Sequence, residues 1–122
     1  GAWSGDHGSQ QRNWSMRDWI LGLCLVLAAG SQAFASSQSH REHGAAVFAA
    51  NGCTHCHSIH KVGGHKGPDL SGVGRVLSKT KIRAQILHGG NEMPSFTDDL
   101  EPAEVNDLVA YLRSCREKPI KK

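Results

Sequence analysis

Hydrophobic positions along the chain form one dense block and several spaced stripes. Residues 19–29, WILGLCLVLAA, are almost continuously apolar. Val105, Leu108, Val109 and Leu112 instead recur at the i, i+3, i+4, i+7 spacing of one helical face. Pro102 sits at a first-turn position with Glu101 and Glu104 beside it, and Arg113, Arg116 and Lys118 load the far end, which suits the helix dipole. A second helix is predicted from Ser78 or Thr80 to Leu87, with Ile82 and Ile86 four apart and Gly89-Gly90 ending it. Ser39-His40-Arg41-Glu42 fits the S-x-x-E capping box, so a further helix is expected to follow to about Asn51, with Gly44 and Phe48 on one face and Gly52 as its stop. Residues 63–74, GGHKGPDLSGVG, hold five glycines and a proline and read as loop, neither helix nor strand. A second loop, Asn91 to Asp99, carries Met93-Pro94. No alternating apolar run predicts a strand, and there is no internal repeat. The expected fold class is all-α with long glycine-rich loops.

The dense block has its own meaning. Met16-Arg17-Asp18 precedes it and Ala33-Phe34-Ala35-Ser36 follows it. A basic residue, a short apolar run and an Ala-x-Ala site together describe a secretory signal peptide. The run falls short of the ~20 residues that span a bilayer, so a permanent anchor is the weaker reading. Met16 is the expected start, with residues 1–15 an upstream extension and cleavage after Ala35. Cys24 is not read as a lipoprotein site, because Leu23 stands where a small side chain is needed. The expected organisation is therefore 1–35, extension plus leader, and 36–122, a single functional domain.

Composition narrows the function. At 122 residues the chain allows one domain, and 39% hydrophobic residues are too few for a multi-span membrane protein. The net charge of +3 comes without a basic run interleaved with aromatics, so no nucleic-acid partner is expected. All three tryptophans lie in 1–35, which leaves Phe48, Phe96 and Tyr111 as the aromatics of 36–122. So small a chain usually needs a disulfide, a metal or a cofactor to complete its core.

Cys53-Thr54-His55-Cys56-His57 supplies the candidate. On a helical turn Cys53, Cys56 and His57 share one side, so two thiols can add across the two vinyl groups of one haem while the adjacent imidazole reaches the iron. Cys-x-x-Cys-His is the c-type haem attachment pattern, and a secretory leader suits it. The competing readings are a redox dithiol, a plain disulfide, or zinc completed by His55 and His60. The first lacks a βαβ setting and the last lacks a second Cys pair. Met93 is the choice for the second axial ligand. It is the sole methionine of 36–122 and stands in a Pro-flanked loop, outside any helical stripe. A gap-filling core methionine is the bland alternative, and His88, His65 and His60 are the runner-up ligands.

The region from about Gly44 to Leu112 resembles the small, monohaem class I cytochrome c family of bacteria, in a short-loop form. Gly44 and Phe48 precede Cys53–His57, then follow Gly67-Pro68-Asp69-Leu70, Gly74-Arg75, Met93-Pro94 and Val109-Ala110-Tyr111-Leu112, in the family's order. The resemblance implies the cytochrome c fold, three to four helices wrapped around one covalently bound haem. It implies that the Pro68 carbonyl accepts a hydrogen bond from His57 Nδ1–H, that Leu70 packs on the haem, and that the first and last helices cross near Gly44 and Tyr111. It also implies a propionate contact for Arg75, with solvated surface as the competing reading. The interior Trp and extra Tyr of larger members are missing.

An iron with both axial positions filled has no open site for a small-molecule substrate, so one-electron transfer is expected rather than enzymatic turnover. A thioether ligand favours Fe(II), which predicts a positive potential. The expected molecule is a periplasmic monomer that carries electrons between a donor protein and an acceptor protein, such as a membrane oxidase or reductase complex. The alternatives are a haem c subunit of a periplasmic oxidoreductase, and a haem sensor or weak peroxidase whose Met93 dissociates. Lys61, Lys66, Lys79, Lys81 and Arg83 cluster after the haem motif, while Asp98, Asp99, Glu101, Glu104 and Asp107 cluster later. A basic rim could steer an acidic partner, against the reading of an ordinary solvated surface. Cys115, on the stripe of Leu108 and Leu112, is read as a small buried hydrophobe.

Overall fold

The computed structural model describes residues 15–120, and for residues 24–31 only the course of the backbone. Most of the upstream extension, residues 1–14, and the side chain of Cys24 therefore lie outside the described residues. The chain divides into two units, with the boundary between Phe34 and Ala35. In the first, every described side chain is exposed, the apolar Trp19, Ile20 and Leu21 among them.

Helix α1 runs Met16–Ala50. Ser39 therefore lies inside a helix rather than at its start, and the capping box expected there does not form. No glycine or proline stands between Ser31 and His43, so a helix propagates through the segment at little cost. Glu42 accepts instead from Gln38 Nε2 one turn earlier, at 2.9 Å. The C-terminal stop is where it was expected, with Gly52 left-handed at φ 74°.

The second unit is mostly helical, consistent with a cytochrome c fold. After a 3-10 turn (Cys53–His55) come β1 (Ser58–Ile59), β2 (Val62–Gly63), α2 (Val73–Val76), α3 (Lys79–His88) and α4 (Pro102–Ser114). The strands and α2 correct the expectation that residues 63–74 are loop alone and that no strand forms. The pairing is minimal: Ser58 faces Gly63 and Ile59 faces Val62 in an antiparallel hairpin. Its two turn residues, His60 and Lys61, both have positive φ, which matches the right-handed twist of the strands. Such a short ladder carries no alternating signature, so periodicity could not reveal it.

Capping follows the sequence elsewhere. Ser78 Oγ accepts from the Lys81 N–H at 3.2 Å to start α3, and the Glu104 carboxylate accepts from the Glu101 N–H at 3.0 Å to start α4. Val105, Leu108, Val109 and Leu112 are all buried and pack with Ile82 and Ile86 of α3. Arg113 and Arg116 do more than load the end of α4. Arg113 Nη1 donates to the carbonyls of Gly74 and Leu77 at 2.6 and 2.9 Å, and Arg116 Nη1 to that of Gly74 at 2.6 Å, so both hold the end of α2.

Helices α1 and α4 meet at Gly44, as the family resemblance implied. A Cβ placed there would lie 2.0 Å from the Asp107 carbonyl oxygen and 2.6 Å from Tyr111 Cβ. The approach is possible only for glycine. Beside it the His40 ring bonds the Asp107 carboxylate at 2.6 Å, and the Phe48 and Tyr111 rings stack edge to face at 6.0 Å.

Candidate functional site

The haem-motif segment opens as a 3-10 turn over Cys53–His55, with Cys56 N–H bonded to Cys53 O at 3.2 Å. Residues i and i+3 eclipse in that geometry, which puts the Cys53 and Cys56 side chains on one side. The His57 N–H reaches the same Cys53 carbonyl at 2.9 Å, so the imidazole follows directly. Both thiols are free and half-buried. Burial pushes the Cys53 thiol above its ordinary value, and the neighbouring Cys56 adds to the rise. That keeps the sulfur protonated and slow to oxidise.

The His57 ring is fixed from outside. Its Nδ1 lies 2.8 Å from the Pro68 carbonyl oxygen. A carbonyl only accepts, so Nδ1 carries the proton and Nε2 keeps its lone pair for a metal. Gly67 makes room: a Cβ there would come within 2.6 Å of the imidazole. The resemblance implied the Pro68 contact. No pattern along the chain marks the need for glycine beside it.

Met93 sits at the end of a tight turn on the other limb. Gly90 and Met93 exchange backbone hydrogen bonds at 2.9 and 3.0 Å, with Asn91 and Glu92 between them at φ 50° and 73°. The loop that follows is tied to α3, since Phe96 N–H reaches Ile86 O at 3.1 Å and Thr97 Oγ1 donates to Leu87 O at 2.7 Å. Gln85 Nε2 lies 3.7 Å from Met93 Sδ. Gln85 is an exposed polar residue at the flank of the Ile82–Ile86 stripe and carries no motif.

These limbs border one cleft, partly open to solvent. Cys53, His57 and Met93 line it together, and the remaining lining is apolar. Helix α1 contributes Phe48, α3 contributes Ile86, α4 contributes Leu108 and Leu112, and the loops add Leu70, Phe96 and Leu100. Cys56 is half-buried but not itself in the lining. The runner-up ligands His60, His65 and His88 are exposed and outside it, as is Arg75. Cys115 is 5% exposed with its thiol pushed up by burial, the small hydrophobe expected. Among the described residues no three His, Cys, Asp or Glu side chains are grouped to hold a metal ion by themselves.

The donor set decides what the cleft could hold. Two free thiols, one imidazole with Nε2 available and one thioether face or border a nearly unbroken apolar lining. That combination fits a flat apolar macrocycle carrying a metal, with sulfur for covalent attachment and one nitrogen and one sulfur for the axial positions.

Comparison with known proteins agrees. Residues 40–112 match the family described as cytochrome c oxidase, cbb3-type, subunit III. Cytochrome c6 of Nostoc sp. is 33% identical over 98 residues, covering 76% of this chain and 85% of the relative. Cytochrome c-552 of Bradyrhizobium diazoefficiens is 32% identical over 102 residues, covering 80% and 95%. Cytochrome c6 of Synechocystis sp. is 32% identical over 104 residues, covering 81% and 82%. No solved structure matches. With the cleft, its donors and these relatives in agreement, the chain belongs to the cytochrome c family, whose members carry one covalently bound haem c and transfer electrons.

Proposed function

We propose that this chain is exported, loses residues 1–35, and works as a periplasmic monohaem electron carrier with no turnover of its own. In this reading Cys53 and Cys56 attach the haem, and His57 and Met93 are the axial ligands. The observation that carries it is the convergence of Cys53, His57 and Met93 on one apolar cleft. A haem iron supplies a one-electron couple. The chain's residues do the rest. Pro68 holds the His57 ring through Nδ1, the Gly90–Met93 turn presents the thioether, and Phe48, Leu70, Leu108 and Leu112 give the site an apolar wall. Held by both His57 and Met93, the iron would offer no open position to a substrate.

Intact mass and a pyridine haemochrome spectrum of the secreted protein test this reading. The expected result is one haem with both vinyl groups saturated, on a chain that begins at Ser36. Haem that extracts into acidified organic solvent would rule out the thioether assignment, and an uncleaved mass would rule out the leader.

Partners are redox proteins. Lys61, Lys66, Lys79 and Lys81 are exposed, and every ion pair among the described residues is made by a histidine. These lysines are therefore available to steer an acidic donor or acceptor. The expected electron-transfer rate falls steeply as salt rises from 10 to about 150 mM, where the screening length has shrunk to about 8 Å. A flat rate would leave the lysines as ordinary solvated surface. A second reading, a haem c subunit held in an oxidoreductase complex, draws support from the oxidase subunit named in the matched family. Co-purification with a catalytic chain, rather than recovery as a free monomer, distinguishes it.

A further inference from the structure

We propose that Asp69 and Ser71 are positioning residues for His57, acting through the Pro68 carbonyl that accepts from the imidazole. The inference rests on the reading of His57 as an iron ligand.

The segment from Thr54 to His60 and the loop from Gly64 to Ser71 are zipped together by a series of hydrogen bonds. Gly64 N–H donates to Thr54 O at 2.8 Å, Gly67 N–H to Cys56 O at 2.7 Å, and Leu70 N–H to Ser58 O at 2.8 Å. The His57–Pro68 contact, at 2.8 Å, is one rung of this series. Proline has no N–H of its own, so the position of its carbonyl depends on the rungs around it.

The last rung is made by a side chain. The His60 N–H donates to Ser71 Oγ at 2.8 Å. Ser71 Oγ in turn donates to Asp69 Oδ1 at 2.6 Å, and the same oxygen accepts from the Ser71 N–H at 2.8 Å. A hydroxyl has one proton. With that proton committed to Asp69, its lone pairs are left to the His60 N–H, so the direction of the chain of bonds is set. The rung closes on strained backbone, since His60 and Lys61 hold φ 51° and 66° without being glycine. Ser71 is 8% exposed and its carbonyl also accepts from the Glu117 N–H at 3.0 Å, which ties the loop to the chain beyond α4. Asp69 itself directly follows Pro68 and does not bond His57. Its carboxylate works by holding Ser71, and Ser71 closes the zip.

A firmly held Pro68 carbonyl keeps Nδ1–H bonded and makes the ring a stronger donor. Loosening it weakens the donor and favours the reduced state. The Asp69 carboxyl is held below its ordinary value, chiefly by the Ser71 hydroxyl and then by the Ser71 N–H, with the charges of His60 and His65 adding a smaller pull. Glu117 faces the network from the tail, bonded to His60 Nδ1 at 2.8 Å. A depressed carboxyl stabilises the fold above its unfolded value, and that contribution is lost as pH falls through the folded value. The clamp therefore holds at neutral pH and opens only in acid.

The test uses the haem-loaded protein with Ser71→Ala, Ser71→Thr, Asp69→Ala and Asp69→Asn. The readouts are exchange of the His57 Nδ1 proton by NMR and the midpoint potential as a function of pH. Ser71→Ala and Asp69→Ala each remove two hydrogen bonds of the network, the hydroxyl–carboxylate bond among them, and are expected to speed exchange about tenfold or more and to raise the potential. Ser71→Thr and Asp69→Asn keep an acceptor in place and should restore most of both. Wild type should lose protection only below the ordinary carboxylate range, whereas Asp69→Ala should lack it at every pH. Lowered melting temperature with unchanged exchange and potential would make both residues structural and overturn the proposal. Should Ser71→Ala fail to fold, the exposed Asp69 decides alone. A wild-type protein in which the His57 ring is not bound to iron would defeat the ligand reading. A bound ring with indifferent variants defeats only this one.

Discussion

Replacing Met93 by alanine is expected to leave the haem attached and the fold intact, yet to abolish the long-wavelength absorption band of a methionine–Fe(III) bond. The oxidised spectrum should become that of a high-spin or water-ligated iron, the potential should fall, and the reduced protein should bind carbon monoxide at neutral pH. The reasoning is local. In the proposed reading attachment depends on Cys53 and Cys56, on the opposite limb of the site, so it does not need the thioether. No histidine stands ready to replace Met93, because His60, His65 and His88 are exposed and outside the cleft. A thioether donates weakly and favours Fe(II), so its loss removes the group that raises the potential. Persistence of the band in the variant would rule out Met93 as the ligand. Binding of carbon monoxide by the unaltered protein would instead favour a sensor or peroxidase with a labile methionine.

Gly44→Val carries the largest expected cost to stability. The new Cβ would lie 2.0 Å from a main-chain oxygen of α4, and a backbone atom cannot rotate away as a side chain can. Helices α1 and α4 have to separate, which uncouples Phe48 from Tyr111 and opens one side of the cleft. The loss should reach at least about 3 kcal/mol, the upper end for overpacking. In a domain of this size that lowers the melting temperature by roughly 15 °C. Ala46→Val, two residues on and exposed, is the control. It costs only the propensity difference, about 0.5 kcal/mol. Thermal unfolding of the two haem-loaded variants followed by circular dichroism compares them. Equal melting temperatures would show that the crossing does not depend on close approach at Gly44.

Much of the site could be read along the chain because its signals are short-range. Cys53, Cys56 and His57 lie within five residues, so spacing alone groups them. The Leu108–Leu112 stripe needs only one helix to be recognised, and Ser78 marks its helix start by the bond it makes three residues on. Sequence pattern and structure part where a local signal meets a stronger neighbour. Ser39 and Glu42 have the right spacing for a cap, but nothing upstream stops the helix, and a box without a break is just four helical residues. The Ile59–Val62 hairpin was invisible because two-residue strands have no period, and because His60 and Lys61 are not the residues that usually mark such a turn. Gln85, Gly67 and Ser71 act on partners 8 to 11 residues away through single contacts, which leave no pattern.

The sequence by itself determined the chemistry: which atoms are available to hold a haem, where α3 and α4 run, and which face of the last helix is buried. Those properties depend on residue type and near-neighbour spacing. Tertiary structure decided the geometry. It brought Met93 to the cleft that Cys53 and His57 line, left His60, His65 and His88 outside, set Pro68 against the His57 ring, and turned Arg113 and Arg116 onto the end of α2. Each of these is a contact between residues that periodicity treats as unrelated. Only the packing of α1 against α4 and the zipping of the glycine-rich loop along the haem motif could choose among the candidates, because ligand selection is a matter of distance, and distance across a fold is set by how helices and loops close on one another.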